Sequence, residues 1–363
     1  MPRLLIRLLP VGRGDCVLIR FPDDSWGVVD CGQKRGSYEP CTQAAALLNN
    51  EPPTDAPVRF ILATHPHADH DGGILQLMEQ LGRRRIQSVF FCGIERRASQ
   101  SSSNHNVDDG QYSFVHEGKR RVRSGELGEC RPLRAPATIP LMPPIDSLLI
   151  SVLWPTMHVL SRAKKVKTTH LKGDAVNNLS VALRIDYAGR SILLLGDLDG
   201  GACAHVLAGG TEGVPVCVIK APHHGGQGSI ISWSSIRTAT SRGVILVSCP
   251  TGSFDHPHAN FLKSVPADKW IIRCTGLAGG CTASQTAERW PIGAAAPSLP
   301  ESLRRSLLSV EGRYRFPHVY EHEECNLNNV VVLNAEGEVT HSTRSRFCDT
   351  AKDFSTEYSP PRR

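Results

Sequence analysis

No apolar run in this sequence approaches the roughly 20 residues that a membrane helix needs, which excludes a spanning helix. The start, Met1-Pro2-Arg3-Leu4-Leu5-Ile6-Arg7, breaks its apolar stretch with charge too early for a secretory signal. A soluble, cytoplasmic protein with no membrane partner is expected. Paired Cys-x-x-Cys spacings are missing as well, although the chain has twelve cysteines, and this removes the usual basis for a zinc knuckle. Cys274, Cys281, Cys325 and Cys348, with His322, are the residues from which a structural zinc site would be drawn, at spacings that no knuckle uses. Without a signal, a chain of this length is not a disulfide framework. Cys16, Cys217, Cys249 and Cys274 instead lie in or beside apolar runs, where a free thiol acts as a small hydrophobe. Charge of one sign is not dominant, and the net +6 discriminates little. The basic residues do cluster, at 83–85, 119–123 and 162–167, which suits either solvated loops or a phosphate-backbone track.

What is present is a concentration of ligand-type residues behind one strand. Val58-Arg59-Phe60-Ile61-Leu62-Ala63 reads as a buried strand, and Thr64-His65-Pro66-His67-Ala68-Asp69-His70-Asp71-Gly72-Gly73 follows it directly. Imidazoles at 65 and 67 alternate along an extended loop and suit one ion, while Asp69 and His70 turn to a second. Imidazole and carboxylate both suit zinc, and the carboxylate also admits manganese. Gly72 and Gly73 permit a tight turn into a helix whose apolar residues Ile74, Leu75, Leu77, Met78 and Leu81 recur at three and four, and Gly82 ends it.

Elsewhere, residues 3–9, 16–21 and 26–30 read as strands, with glycines at 12 and 14 marking a tight turn between the first two. A helix is expected over about 39–49. Strands are expected at 148–155, 179–185, 192–195, 216–222, 244–248 and 270–274. The stretch at about 95–145 reads as a polar, basic insertion holding at most a short strand or hairpin. Residues 330–333 and 338–340 read as a hairpin.

His65-x-His67-x-Asp69-His70 resembles the signature of the metallo-β-lactamase-fold hydrolases. The resemblance implies an α/β protein with a four-layer αββα fold, two mixed sheets packed face to face with helices outside. The hydrolase domain would span residues 1–281, and residues 282–363 would form a C-terminal extension with the hairpin and a frayed tail. Val11-Gly12-Arg13-Gly14-Asp15 resembles the opening of the hydrolase domain in ComEC-type DNA-uptake proteins, and Asn178-Leu179-Ser180-Val181 is similar to their Asn-x-Ser-Leu-Val stretch. No counterpart of the membrane channel that accompanies those domains is expected.

By the resemblance, Asp30 buttresses the metal loop, Asp69 also orients the attacking hydroxide, and Asp197 bridges two ions with its two oxygens. His223 completes the second ion's shell, while His224 orients it or meets substrate. His256 is a phosphate contact or proton donor, or else a residue that merely caps the next helix. The histidine that many such enzymes carry near 177–181 is replaced by asparagine, which leaves manganese open beside zinc, although His170 lies close in sequence. Two divalent ions, Zn²⁺ or Mn²⁺, with a shared hydroxide imply hydrolysis without a Ser-His-Asp triad. The expected reaction is cleavage of a phosphodiester in a nucleic acid or nucleotide. Alternatives are a thioester, lactone or β-lactam hydrolase of the same fold, or a non-catalytic metal-binding module tethered to protein partners through the C-terminal extension. A flavin-dependent iron enzyme is disfavoured because His67 stands where those place a carboxylate.

Overall fold

The computed structural model describes residues 3–9, 14–32, 40–82, 85–94, 113–165, 174–210, 213–229, 231–238, 243–248, 256–266, 268–275, 329–334 and 339–342. In chain order the first half contributes β1 (Arg3–Leu8), β2 (Val17–Arg20), β3 (Trp26–Val29), α1 (Pro40–Asn50), β4 (Val58–Ala63), α2 (Ala68–Asp71), α3 (Ile74–Gln80), β5 (Ser88–Phe91), α4 (Phe114–Arg123) and β6 (Glu129–Pro132). The second half contributes β7 (Ala137–Thr138), β8 (Leu148–Trp154), α5 (Met157–Lys165), α6 (Asp174–Asn177), β9 (Ala182–Tyr187), β10 (Arg190–Leu194), α7 (Gly200–Gly210) and β11 (Val216–Lys220). β12 (Gly243–Val247), α8 (Ala259–Ser264), β13 (Trp270–Cys274), β14 (Asn329–Asn334) and β15 (Val339–Ser342) follow.

These strands make two mixed sheets, ordered β15-β14-β1-β2-β3-β4-β5-β6 and β13-β12-β11-β10-β9-β8-β7. Period-two patterning explains the face each strand presents: Leu4, Ile6 and Leu8 of β1 are buried while the residues between them are not. Ile150, Val152 and Trp154 do the same in β8. β4 and β11 are buried along their whole length, as parallel strands covered on both faces must be. Between the sheets lies one apolar core that includes Ile6, Ile19, Phe60, Leu62, Phe90, Val152, Leu183, Ile185, Leu194, Val218 and Leu246. The outer face of the first sheet is covered by Ala44, Ala45, Leu48, Ile74, Leu77, Met78 and Phe114 from α1, α3 and α4. Cys203, Val206, Leu207, Phe261 and Leu262 from α7 and α8 cover the outer face of the second. The expected four-layer αββα fold is therefore present. Among the described residues no helix is long and apolar enough to cross a membrane.

What positions the site is the direction of the inner strands. β3, β4, β5 and β6 run parallel, as do β10, β11, β12 and β13, so each set ends on one edge. α1, α3 and α4 make the crossovers of the first set, and α7 and α8 serve in the second.

The stretch read as a polar insertion is built differently over its described part. α4 is a true helix whose N-cap Ser113 accepts from the His116 N–H at 3.2 Å, with Glu117 in the first turn and Arg120, Arg121 and Arg123 in the last. Its apolar face is short, Phe114 and Val115, and is extended by Gly118, where an added Cβ would meet Cys130 Sγ at 2.7 Å. Apolar periodicity was too sparse to show a helix that caps and ion pairs define. The basic run is also partly neutralised: Glu117 accepts from Arg120 and Arg121 at 2.7 Å, and the buried Arg121 reaches the Met78 carbonyl at 3.3 Å. Arg85 is likewise engaged, with Asn49 at 2.6 Å and the Ala56 carbonyl. Arg83, Arg84 and residues 166–167 lie outside the described residues.

β14 and β15 pair antiparallel, and β14 pairs with β1 in the register Arg3↔Asn334 to Leu8↔Asn329. Leu333, 1% exposed, enters the core between the sheets. Leu333→Ala is expected to destabilise the whole fold by about 2–5 kcal/mol, read as one cooperative shift in a denaturant titration. A local change confined to the hairpin, with the main transition unmoved, would show that β14 folds separately.

Candidate metal centre

The ligand loop is held from both sides by backbone. Asp15 N–H donates to the Asp69 carbonyl at 3.0 Å, Cys31 N–H to the His70 carbonyl at 2.7 Å, and Gly73 N–H to the Cys31 carbonyl at 2.8 Å. Glycine is required for this approach. Gly14 has φ +119°, and an added Cβ there would sit 2.2 Å from the Asp69 carbonyl oxygen, while one at Gly32 would sit 2.5 Å from the same atom. Both contacts are to backbone, which cannot swing away.

Asp30, buried at the end of β3, accepts from the Thr64 N–H and hydroxyl at 2.7 Å each and from His70 Nδ1 at 2.8 Å. This is the buttress that the sequence led us to expect. His70 Nδ1 is thereby committed as a donor, and its Nε2 faces Asp197 Oδ2 at 3.1 Å. Asp197 Oδ2 also lies 3.9 Å from His65 Nε2 and 3.5 Å from His224 Nε2. His65 is fixed through Nδ1, 3.1 Å from both Thr64 Oγ1 and Ser180 Oγ. Its Nε2 lies 3.0 Å from His67 Nδ1. Ligand atoms of His65, His70 and Asp197 fall within 4.8 Å of one another, as do those of Asp69, His70 and His224.

The donor set fits divalent cations, and unmatched atoms show it. His224 Nε2 and Asp197 Oδ1 are buried with no hydrogen-bond partner among the described residues. Nitrogen lone pairs face a carboxylate oxygen at 3.1 and 3.5 Å, an arrangement that needs a cation, proton or metal, in between. Burial opposes charging of His70 and His224, but Asp197 with Asp30 raises His70 well above its usual 6.5, and Asp197 with Asp15 raises His224 to about 9. Burial and the His70 charge instead push His65 well below 6.5. Asp197 is held well below the usual carboxylate range, burial being outweighed by His70 and His224.

Two expectations differ from this geometry. It is His224, not His223, that joins Asp69 and His70; His223 turns to Asp199 Oδ1 and Asn177 Nδ2, each at 3.3 Å. The setting is local: both residues have left-handed backbone, φ 43° and 53°, and this turn sets the direction each side chain takes. Asp197 was expected to share its two oxygens between ions, yet its close imidazole neighbours all face Oδ2, while Oδ1 lies 3.7 Å from Lys220 Nζ. Of the asparagines in this segment, Asn177 is directed at His223, and Asn178 Oδ1 accepts from the Asp199 N–H at 3.0 Å. His256 is brought alongside, its ring 5.4 Å from His223 and 6.4 Å from His224. His158 is exposed on α5, while His170 and the cysteines at 281, 325 and 348 with His322 lie outside the described residues.

Sequence reasoning passed over Lys220, Ser248 and the hydroxyls of Thr64 and Ser180, and it read Asp15 only as part of a turn motif. Lys220 had a signal: a lysine ending the apolar run 216–219 of a doubly covered strand has to be paired.

The model of the metallo-beta-lactamase superfamily matches residues 9–84, the segment that includes the ligand loop. A search of curated proteins finds no match. Among solved structures, the chain is similar to the metallo-beta-lactamase fold protein YhfI from Bacillus subtilis, at 11% identity over 74% of this chain and 96% of that one, with a TM-score of 0.44. It is also similar to the metallo-beta-lactamase SMB-1 bound to 2-mercaptoethanesulfonate, at 15% identity over 59% and 75%, TM-score 0.32. A third is a metallo beta lactamase from Hirschia baltica, at 14% identity over 51% and 59%, TM-score 0.25. The family model reaches residues 9–84 alone, and the two mixed sheets with outer helices give the chain its α/β fold.

Raised imidazoles mean that the ion-free protein carries protons at His70 and His224 near neutral pH. Their contribution to stability is present below 6.5 and is lost as pH rises through about 9 for His224. Zinc added to stripped protein near neutral pH is expected to expel these protons, seen as a calorimetric heat that varies with the buffer's ionisation enthalpy, and apparent affinity should rise with pH. Binding without proton release would place both imidazoles outside the ion shell.

Proposed function

We propose that this metallo-β-lactamase-fold chain is a metal-dependent phosphodiesterase that cleaves nucleic acid or a smaller nucleotide phosphodiester in the cytoplasm, with a chemistry like that of the ComEC-type hydrolase domains. The observation that carries the reading is the shared use of Asp197 Oδ2 by His65, His70 and His224, which brings the ligands of two neighbouring cation positions to one edge. His65, His67 and Asp197 would hold one ion; Asp69, His70, His224 and Asp197 would hold the other. Zinc or manganese bound there supplies Lewis-acid activation of water and neutralises charge gathering on the attacked group.

The chain's own residues do the rest. Asp69, half-buried beside the cluster, accepts a hydrogen bond from the attacking water and so aims it. His256, beside His223 and partly exposed, is placed to contact a phosphate oxygen or to give a proton to the departing one. Asp199 orients His223 through Nδ1 and leaves that ring at the rim with His256. The phosphodiester class is favoured because Asn177 and Asn178 occupy the segment where thioester, lactone and β-lactam hydrolases of the fold more often add an imidazole. A protein partner at the C-terminal portion belongs to the same proposal, since residues 282–328 exceed what the hairpin uses.

The test is metal-stripped protein incubated with single- and double-stranded DNA, RNA and bis(p-nitrophenyl) phosphate, with Mn²⁺, Zn²⁺ or Mg²⁺ restored. Metal-dependent cleavage should fall by about 100-fold or more in Asp69→Ala. Ion-loaded protein that leaves every phosphodiester intact yet opens a thioester, lactone or β-lactam would overturn the substrate class.

A further inference from the structure

Beneath the ligand cluster lies a second layer of buried polar groups that none of the steps above uses. Lys220, at the end of β11, is 2% exposed and fully enclosed, an uncommon place for an ammonium group. It ion-pairs with Asp15 Oδ2, lies 3.7 Å from Asp197 Oδ1 and donates to the Gly196 carbonyl at 3.4 Å. Asp15, also 2% exposed, accepts the Ser248 hydroxyl on its other oxygen. Ser248 Oγ lies 2.7 Å from His224 Nδ1.

The direction of every proton in this chain is determined. Paired with a buried ammonium, Asp15 is ionised and can only accept. The Ser248 hydroxyl therefore gives its one hydrogen to Asp15, and its oxygen must accept from His224. His224 thus keeps a proton on Nδ1, so it is Nε2, buried without a hydrogen-bond partner and facing Asp197 Oδ2 at 3.5 Å, that gives up its proton and offers a lone pair when an ion binds.

We infer that Lys220, Asp15 and Ser248 form a positioning relay that fixes the tautomer and aim of His224, and that Lys220 at the same time turns Asp197 Oδ1 away so that Oδ2 serves the cations. Lys220 acts as an internal cation. Asp15, Asp197 and His224 place ligand atoms within 4.8 Å of one another, and without an ammonium there they would form a further acidic cluster competing for the same ions. The relay and the residues it serves sit at separate strand ends, Asp15 between β1 and β2, Asp197 after β10, Lys220 closing β11 with His224 beyond it, and Ser248 after β12, so its pieces are aligned by the sheets themselves. This inference rests on the reading of the cluster as a metal centre, and not on the phosphodiester substrate.

Ser248→Ala is the deciding variant, because it removes the hydroxyl without altering charge or adding volume. Two readouts are required: the affinity for each ion by chelator competition, and the histidine tautomers by long-range ¹H–¹⁵N correlation in the zinc-loaded protein. One ion should bind about 10–100-fold more weakly, with His224 no longer held as the Nδ1–H form, and Ser248→Thr should restore both. Lys220→Met should weaken binding at least as much; since Asp15 would then be buried without its cation and folding could fail, the serine variants carry the decision. Unchanged affinity for both ions in Ser248→Ala, with His224 still protonated at Nδ1, would overturn the relay. Failure of the substrate reading would look different, as intact ion binding and the same tautomer shift with no phosphodiester cleaved.

Discussion

Buried negative charge is the constraint around which this protein is arranged. Asp15, Asp30 and Asp197 are each 3% exposed or less; Asp30 and Asp197 follow the ends of β3 and β10, and Asp15 joins them from the turn before β2. A carboxylate taken out of water loses several kcal/mol of solvation unless cations or donors replace it. The chain provides Lys220 for Asp15, the Thr64 N–H and hydroxyl with His70 for Asp30, and His70 with the more distant Lys220 for Asp197. Each inward imidazole is then forced into one orientation. His70 spends Nδ1 on Asp30 and His224 spends Nδ1 on Ser248, so both turn Nε2 toward Asp197. The cation demand that remains is the site.

Neither sheet could meet that demand alone. The first delivers Asp15, Asp30 and the 65–70 loop; the second delivers Asp197, Lys220, His224 and Ser248. Cross-sheet bonds hold the halves in register at this edge: the Val181 N–H reaches the Thr64 carbonyl at 2.9 Å, and Ser180 Oγ touches both His65 and the Asp197 N–H. Binding of a cation between His65, His70 and Asp197 therefore ties the two sheets together, and loading the centre and stabilising the fold are one linked equilibrium.

The sequence carried the strand-end logic because it is local. Strand β4 and its ligands are contiguous in the chain, α3 shows its apolar period, and Asp197 and His223-His224 each follow an apolar run. What it could not carry was anything set by backbone conformation or by distance across the fold. Asp15 and Ser248 are 233 residues apart, and no spacing announces that they touch. α4 was missed because its helix rests on a serine cap, Glu117–arginine pairs and a glycine packed on Cys130, none of which is an apolar repeat. The assignment of His223 over His224 was a choice between neighbours that only a φ angle decides.

That choice shows how strain and function meet. Left-handed backbone disfavours a residue with a Cβ by about 1–2 kcal/mol, and here two histidines in succession adopt it. Bonds on either side keep them there: the His223 N–H to the Gly196 carbonyl at 3.0 Å, the Gly226 N–H back to the His223 carbonyl at 2.8 Å, and the His258 N–H to the Gly225 carbonyl at 2.8 Å. The turn sends His224 down to Asp197 and Ser248 and His223 outward to Asp199, next to His256. Two adjacent residues of one type thereby face two environments, one dry and acidic, the other open to whatever approaches the rim.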